Sequence, residues 1–191
     1  MVDEFREVDY VGTLSYKVVT EDLAGFKFDA KETMELLKLA FQRGYDVVPV
    51  LRSRGEKFLA GGVRYHGNHF RQCWDSVLSS LGFTEAQIRN EDYCHPFYRN
   101  AYFARPEHFK TVSKYMSQAI DSVLLNNTVE SIFRKEAYYT GAKGKITAKA
   151  FRTDHYEFHP FVFERLPVFF FNAIHSNICI GDNSPCANNF I

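Results

Sequence analysis

The sequence predicts a mixed α/β (α+β) domain in which a mixed central sheet is flanked by helices. Three observations carry this. Stretches rich in β-branched and aromatic residues alternate along the chain with stretches of helical spacing. Capping and glycine stop signals separate the two kinds. The size and composition suit one packed domain over 1–191: there are 191 residues, 46% apolar and 24% charged. Rings are abundant, with 19 Phe, 11 Tyr and one Trp, which implies a thick core and an aromatic-lined cleft.

The elements follow in order. Val8–Val19 reads as a strand, central to the sheet, with Gly12 at a close approach. Asp29-x-x-Glu32 is a capping pattern, and the helix it starts runs through Met34, Leu37 and Phe41 to Gly44. Asp46–Leu51 is a short buried strand that Pro49 assigns to an edge or a bulge. Arg52–Gly62 reads as a charged, Gly-containing loop. His66–Leu81 reads as one helix with Phe70, Cys73, Trp74 and Val77 on one face, closed by Gly82. Thr84 caps a short helical turn, and Asn100–Ala104 is a strand.

Pro106 suits the first turn of a long helix to about Leu125 that covers one face of the sheet. Its stripe Phe109, Val112, Met116, Ala119 and Val123 should be buried. Thr128 opens a shorter helix, and Gly141–Lys149 is a basic loop. Phe158–Ile174 reads as an aromatic helix interrupted at Pro167, followed by a strand at Asn177–Ile180.

Charge and cysteine usage narrow the function. Lys+Arg and Asp+Glu number 23 each, so the net charge is zero and nothing in the whole-chain balance points to nucleic acid. The longest apolar run, Phe161–Ile174, contains Glu164, Arg165 and Pro167 and is too short for a membrane span. Cys73, Cys94, Cys179 and Cys186 lack C-x-x-C spacing, which argues against a zinc site, and no secretory leader is read, so the expectation is a soluble, cytoplasmic chain without disulfides.

Four polar clusters stand out. In Asp154–His159, an extended backbone would put His155, Glu157 and His159 on one face, the donor set of a divalent metal site; the alternative is a loop with backbone-bonded histidines. His66 and His69, beside Arg64, would share a helix face near an N-terminus suited to an anion, or be plain surface residues. In Asp92–Asn100, Cys94 beside His95 suggests a thiol nucleophile, but Asp92, Tyr98 and Asn100 are better suited as polar sugar contacts. Glu164 and Arg165 lie among Phe161, Phe163, Leu166 and Phe169, so both should be largely buried and engaged with other segments.

In sequence order, Asp9-Tyr10-Val11-Gly12-Thr13-Leu14-Ser15-Tyr16-Lys17, Asn100-Ala101-Tyr102-Phe103-Ala104 and Phe161-Val162-Phe163-Glu164-Arg165-Leu166 resemble motifs of the acceptor side of GT-A-like glycosyltransferases of polysaccharide and glycan biosynthesis. Ser15 and Lys17 stand where His and Arg are frequent in that group, and the chain has no Asp-x-Asp motif. The resemblance implies a GT-A-like fold with the N-terminal nucleotide-binding half missing or reduced. It also implies transfer of a sugar from a nucleotide sugar to a glycan or protein-linked acceptor.

On this reading Asp92, His95 and Glu157 are the catalytic candidates. Tyr16, Lys17, Arg64, Tyr98, Asn100 and Arg165 would bind substrate, with Lys17, Arg64 and Arg165 serving the phosphates. His155 and His159 would hold a divalent cation, Mn or Mg. Tyr16–Lys17, Asp92–Asn100 and Glu157–His159 are expected to meet at one cleft. The alternatives are a non-catalytic glycan-binding or assembly subunit with a partner subunit or domain, and a small metal-dependent enzyme built on His155, Glu157 and His159.

Overall fold

The computed structural model describes residues 9–13, 29–50, 58–90, 101–135, 137, 157–174, 176 and 178. Helices make up most of these residues, and they surround a small three-stranded sheet. Strand β1 is Val11–Thr13, helix α1 Ala30–Gln42 and strand β2 Val47–Pro49. Two helices follow, α2 over Phe58–His66 and α3 over Asn68–Ser80, then the single turn α4, Glu85–Ile88. Strand β3 is Tyr102–Ala104 and the long helix α5 is Pro106–Leu125. Helix α6 is Asn127–Phe133, α7 is His159–Phe163 and α8 is Leu166–Ala173.

Among the described residues the first strand lies at an edge, not at the centre. β3 lies between β1 and β2, antiparallel to both, so Ala104 is opposite Val11 on one side and Val47 on the other. β3 buries Tyr102 and Ala104 and leaves Phe103 partly exposed, and both its edges are used for pairing. Pro49, which lacks a ladder donor, is the last residue of β2, opposite Tyr102 of β3. A parallel bridge from Val47 to Ile178 is what the described residues show of the strand expected at Asn177–Ile180. Gly12 is a close approach: a Cβ there would stand 2.7 Å from the Tyr102 carbonyl oxygen and against the Phe103 ring.

Side-chain alternation divides the apolar residues between two clusters. Val47, Tyr102 and Ala104 face the main core, whereas Val48 and Phe103 face a smaller cluster with Tyr10, Leu37 and Ala40 of α1. The main core is a stack of rings. Trp74 lies near-parallel to Phe70 and edge-on to Phe169, and Phe170 stacks on Tyr115 at 5.1 Å. Phe171 meets Tyr102 edge-on at 5.0 Å. Each such pair adds roughly 0.5–1.5 kcal/mol beyond burial alone, so the surplus of rings is largely spent on packing α3, α5 and α8 together.

Several element boundaries differ from expectation for local reasons. Residues 58–62, read as loop, belong to α2. The single helix expected from His66 is broken at Gly67, whose φ of 75° turns the chain between α2 and α3. Asn126, not Thr128, caps α6, its Oδ1 accepting from the Thr128 and Val129 amides. The aromatic helix breaks at Glu164–Arg165, so Pro167 lies in the first turn of α8, where its missing N–H costs nothing. On α5 the Val112, Ala119 and Val123 positions are buried, while Phe109 and Met116 are only partly so because they flank the stripe rather than centre it.

The caps at Asp29 and Thr84 form as read. Asp29 Oδ1 accepts from the Lys31 and Glu32 amides at 2.7 and 3.0 Å. Asp29→Ala is therefore expected to lower stability by about 1 kcal/mol. Urea unfolding checks this as a shift in midpoint with an unchanged slope.

Candidate functional site

The end of α6 and the start of α7 are brought together by a backbone hydrogen bond from the Phe158 amide to the Phe133 carbonyl, 2.9 Å. Two candidate side chains meet there. Glu157 Oε2 stands 3.0 Å from His159 Nδ1, and Arg134 Nη1 donates to Glu157 Oε1 at 3.3 Å. Arg134 also holds Glu130, donating to Oε1 through Nε and Nη2. The His159 ring rests 5.1 Å from Phe133, leaving the side chain partly exposed.

The extended backbone expected for this stretch is not what joins Glu157 to His159. Phe158 is in the right-handed helical region, with φ −74° and ψ −15°, and His159 begins α7. The turn curls residues 157 and 159 toward each other, as a strand would not. With a proton on His159 Nδ1 directed at the carboxylate, Nε2 is left as a proton acceptor. Arg134 fixes the other carboxylate oxygen, so both partners of the pair are oriented.

Of the two residues expected to hold a divalent cation, His159 is described and stands against Glu157. Among the described residues there is no group of three or more His, Cys, Asp or Glu that could hold a metal. Glu157 and His159 supply two donors, and these are engaged with each other and with Arg134, whereas Mg and Mn prefer near-octahedral oxygen sets. His155 lies outside the described residues.

Arg165 and Arg64 occupy different environments. Arg165 is 8% exposed; its Nη1 donates to the Phe161 carbonyl at 2.7 Å and its guanidinium lies 5.4 Å from the Phe70 ring centre. It thereby ties α7 to α3. Glu164, expected to be largely buried as well, is only half-buried at the helix break. Arg64 is exposed, its guanidinium 5.7 Å over the Tyr65 ring. His66 and His69 do not share a face: His66 ends α2 and is buried, while His69 is exposed in the first turn of α3. Burial and the nearby Arg165 charge lower the His66 pKa to about 4, against a smaller opposite pull from a backbone contact at Ala137. Burial pushes the Cys73 thiol up to about 12, and its Sγ meets the Ile132 carbonyl at 3.6 Å, so this is an inert packing thiol.

A further constellation was not legible in the sequence. His108 Nδ1 is 2.7 Å from Ser176 Oγ, and its Nε2 lies 3.7 Å from Asp46, whose Oδ1 is also 3.5 Å from Arg105 Nε. Arg105 in turn lies over the rings of Tyr10 and Phe41. Ser176 is buried, so its hydroxyl is an internal tie that joins the segment after α8 to the start of α5. The three residues are distant in sequence, and the only linear hint is Pro106, which places His108 in the first turn of a helix.

Tyr16, Lys17, Asp92, His95, Tyr98, Asn100 and His155 lie outside the described residues, and with them the expected shared cleft. Comparison with known protein families, curated proteins and solved structures gives no match to this chain.

Proposed function

We propose that the chain is a glycosyltransferase-like protein with a GT-A-like architecture, moving a sugar from a nucleotide-sugar donor to a hydroxyl of a glycan or protein-linked acceptor. One observation carries the reading: the 3.0 Å pairing of Glu157 with His159 at the head of the Phe161–Leu166 segment. In this scheme the acceptor O–H gives its proton to His159 Nε2 as its oxygen bonds to the anomeric carbon. The bond from that carbon to the phosphate oxygen breaks, and the diphosphate leaves with the electron pair. Glu157 stabilises the imidazolium that forms. Exposed Arg64 would serve the diphosphate, whereas buried Arg165 would act by positioning α7. Tyr16, Lys17, Asp92, His95, Tyr98 and Asn100 complete the proposed substrate contacts.

The test is release of nucleoside diphosphate from a panel of nucleotide sugars and saccharide acceptors, with and without manganese. His159→Ala should lower turnover by roughly 10²–10⁴-fold, the usual contribution of a general base. Glu157→Gln should lower it less, and both should leave the donor KM nearly unchanged. Turnover that survives His159→Ala would remove the pair from the chemistry. Oligosaccharide binding with no nucleotide binding would favour a glycan-binding or assembly subunit.

A further inference from the structure

We propose that the groove between the C-terminal halves of α3 and α5 binds a neutral saccharide. The site lies apart from the Glu157–His159 pair, and the inference holds whether or not that pair performs transfer. The groove is open to solvent and offers about 460 Å³, within the roughly 300–1,000 Å³ of small-ligand sites.

Its wall on α5 is a stripe at helical spacing: Gln118, Asp121, Ser122 and Leu125 stand at i, i+3, i+4 and i+7. These side chains do not serve the core, which takes the neighbouring Ala119 and Val123 stripe. Gln118 and Asp121 are exposed, and among the described residues no protein group engages either one. Together they offer a planar amide and a planar carboxylate, groups that can each bond two adjacent hydroxyls.

The floor is fixed. Ser80 Oγ donates to the Val77 carbonyl at 2.7 Å and is hydrogen-bonded to Ser122 Oγ, which links the two helices. At the far end Asn126 spends its Oδ1 on the Thr128 and Val129 amides. Its amide nitrogen is thereby held in one orientation with donors to spare. The tied hydroxyls of Ser80 and Ser122 and the oriented amide of Asn126 give the groove fixed polar groups beside the free ends of Gln118 and Asp121, a mix that suits a ligand whose hydroxyls are themselves both donors and acceptors.

Charge and shape select among ligands. Among the described residues the lining contains one carboxylate and no Lys or Arg, which disfavours a phosphate, a nucleotide or an anionic headgroup. Leu125 is 83% exposed, and with Leu81 it borders the polar stripe. Covering such a leucine with the C–H face of a pyranose removes apolar surface from water while the ring hydroxyls reach Gln118 and Asp121.

The experiment is an NMR titration of the isotope-labelled full chain with the methyl glycosides of glucose, galactose, mannose and N-acetylglucosamine. A lysine amide serves as the cationic control. At least one glycoside should shift the Gln118 and Asn126 side-chain amides and the backbone amides around Ser80–Leu81 and Gln118–Asn126, saturably. Asp121→Ala and Gln118→Ala should each weaken that binding about tenfold or more, the loss of roughly one well-made polar contact. Both positions are exposed, so the thermal melts should be unchanged. His159→Ala should retain the shifts in full, which separates this site from the transfer reading. Shifts confined to other regions, equal affinity in Asp121→Ala, or a response to the lysine amide alone would overturn the proposal.

Discussion

Gly62→Ala is expected to destabilise the protein by about 2–3 kcal/mol, although alanine is the better helix former by roughly 0.8–1.0 kcal/mol. Gly62 is buried in α2, and a Cβ built there would lie 2.5 Å from Phe70 Cζ and closer still to Cδ1 and Cε1. Phe70 cannot retreat: it is fully buried, stacked on Trp74 with ring centres 6.0 Å apart and faced by the Arg165 guanidinium. The added methyl therefore forces α2 and α3 apart or drives Phe70 off its rotamer. Urea unfolding of Gly62→Ala, Phe70→Leu and the double variant checks this. The smaller Leu should accommodate the methyl, giving a favourable coupling of about 1–3 kcal/mol. Strict additivity, or a gain in stability from Gly62→Ala alone, would show that the helices do not meet at this point.

Acidification is expected to weaken the fold through His66. In the unfolded chain this imidazole takes up a proton near its ordinary pKa of 6.5, whereas in the folded protein its pKa is held at about 4. Between those values the unfolded state binds more protons, so stability is highest above pH 6.5 and falls as the pH drops toward 4. Holding the imidazole at about 4 instead of 6.5 corresponds to a loss on the order of 3 kcal/mol. The cause is first burial: the residue is 3% exposed, with its ring 4.0 Å from that of Phe161. The Arg165 guanidinium then adds like-charge repulsion. Stability curves of the wild type and His66→Gln from pH 7.5 to 4 check the effect. The variant should start lower but lose about 3 kcal/mol less over that range; parallel curves would mean that His66 charges inside the fold without penalty.

The candidate site was only partly legible in the sequence. The cluster Asp154–His159 stood out by composition, and Glu157 and His159 do meet, but through a turn at Phe158 rather than along a strand. Arg134, which fixes Glu157 from the end of α6, could not be read, because its relevance depends on the Phe158–Phe133 backbone contact. The same holds for His108, Ser176 and Asp46, which come together from three separate segments.

The linear sequence by itself determined the local elements: the α1 cap at Asp29, the capped turn at Thr84, the strand at Tyr102–Ala104 and the long helix from Pro106. Each is set by side-chain-to-backbone bonds or by residue spacing within a few positions, and these forces act wherever the chain goes. The tertiary structure decided which strand is central, since an edge or a centre is defined by partners and not by propensity. It also decided that Arg165 is buried while Glu164 is half-exposed, because a break in the helix points adjacent side chains in different directions. The collapse of the imidazole pKa at His66 belongs to the same class: it arises from rings and a guanidinium on other helices, and no reading of Tyr65-His66-Gly67 contains them.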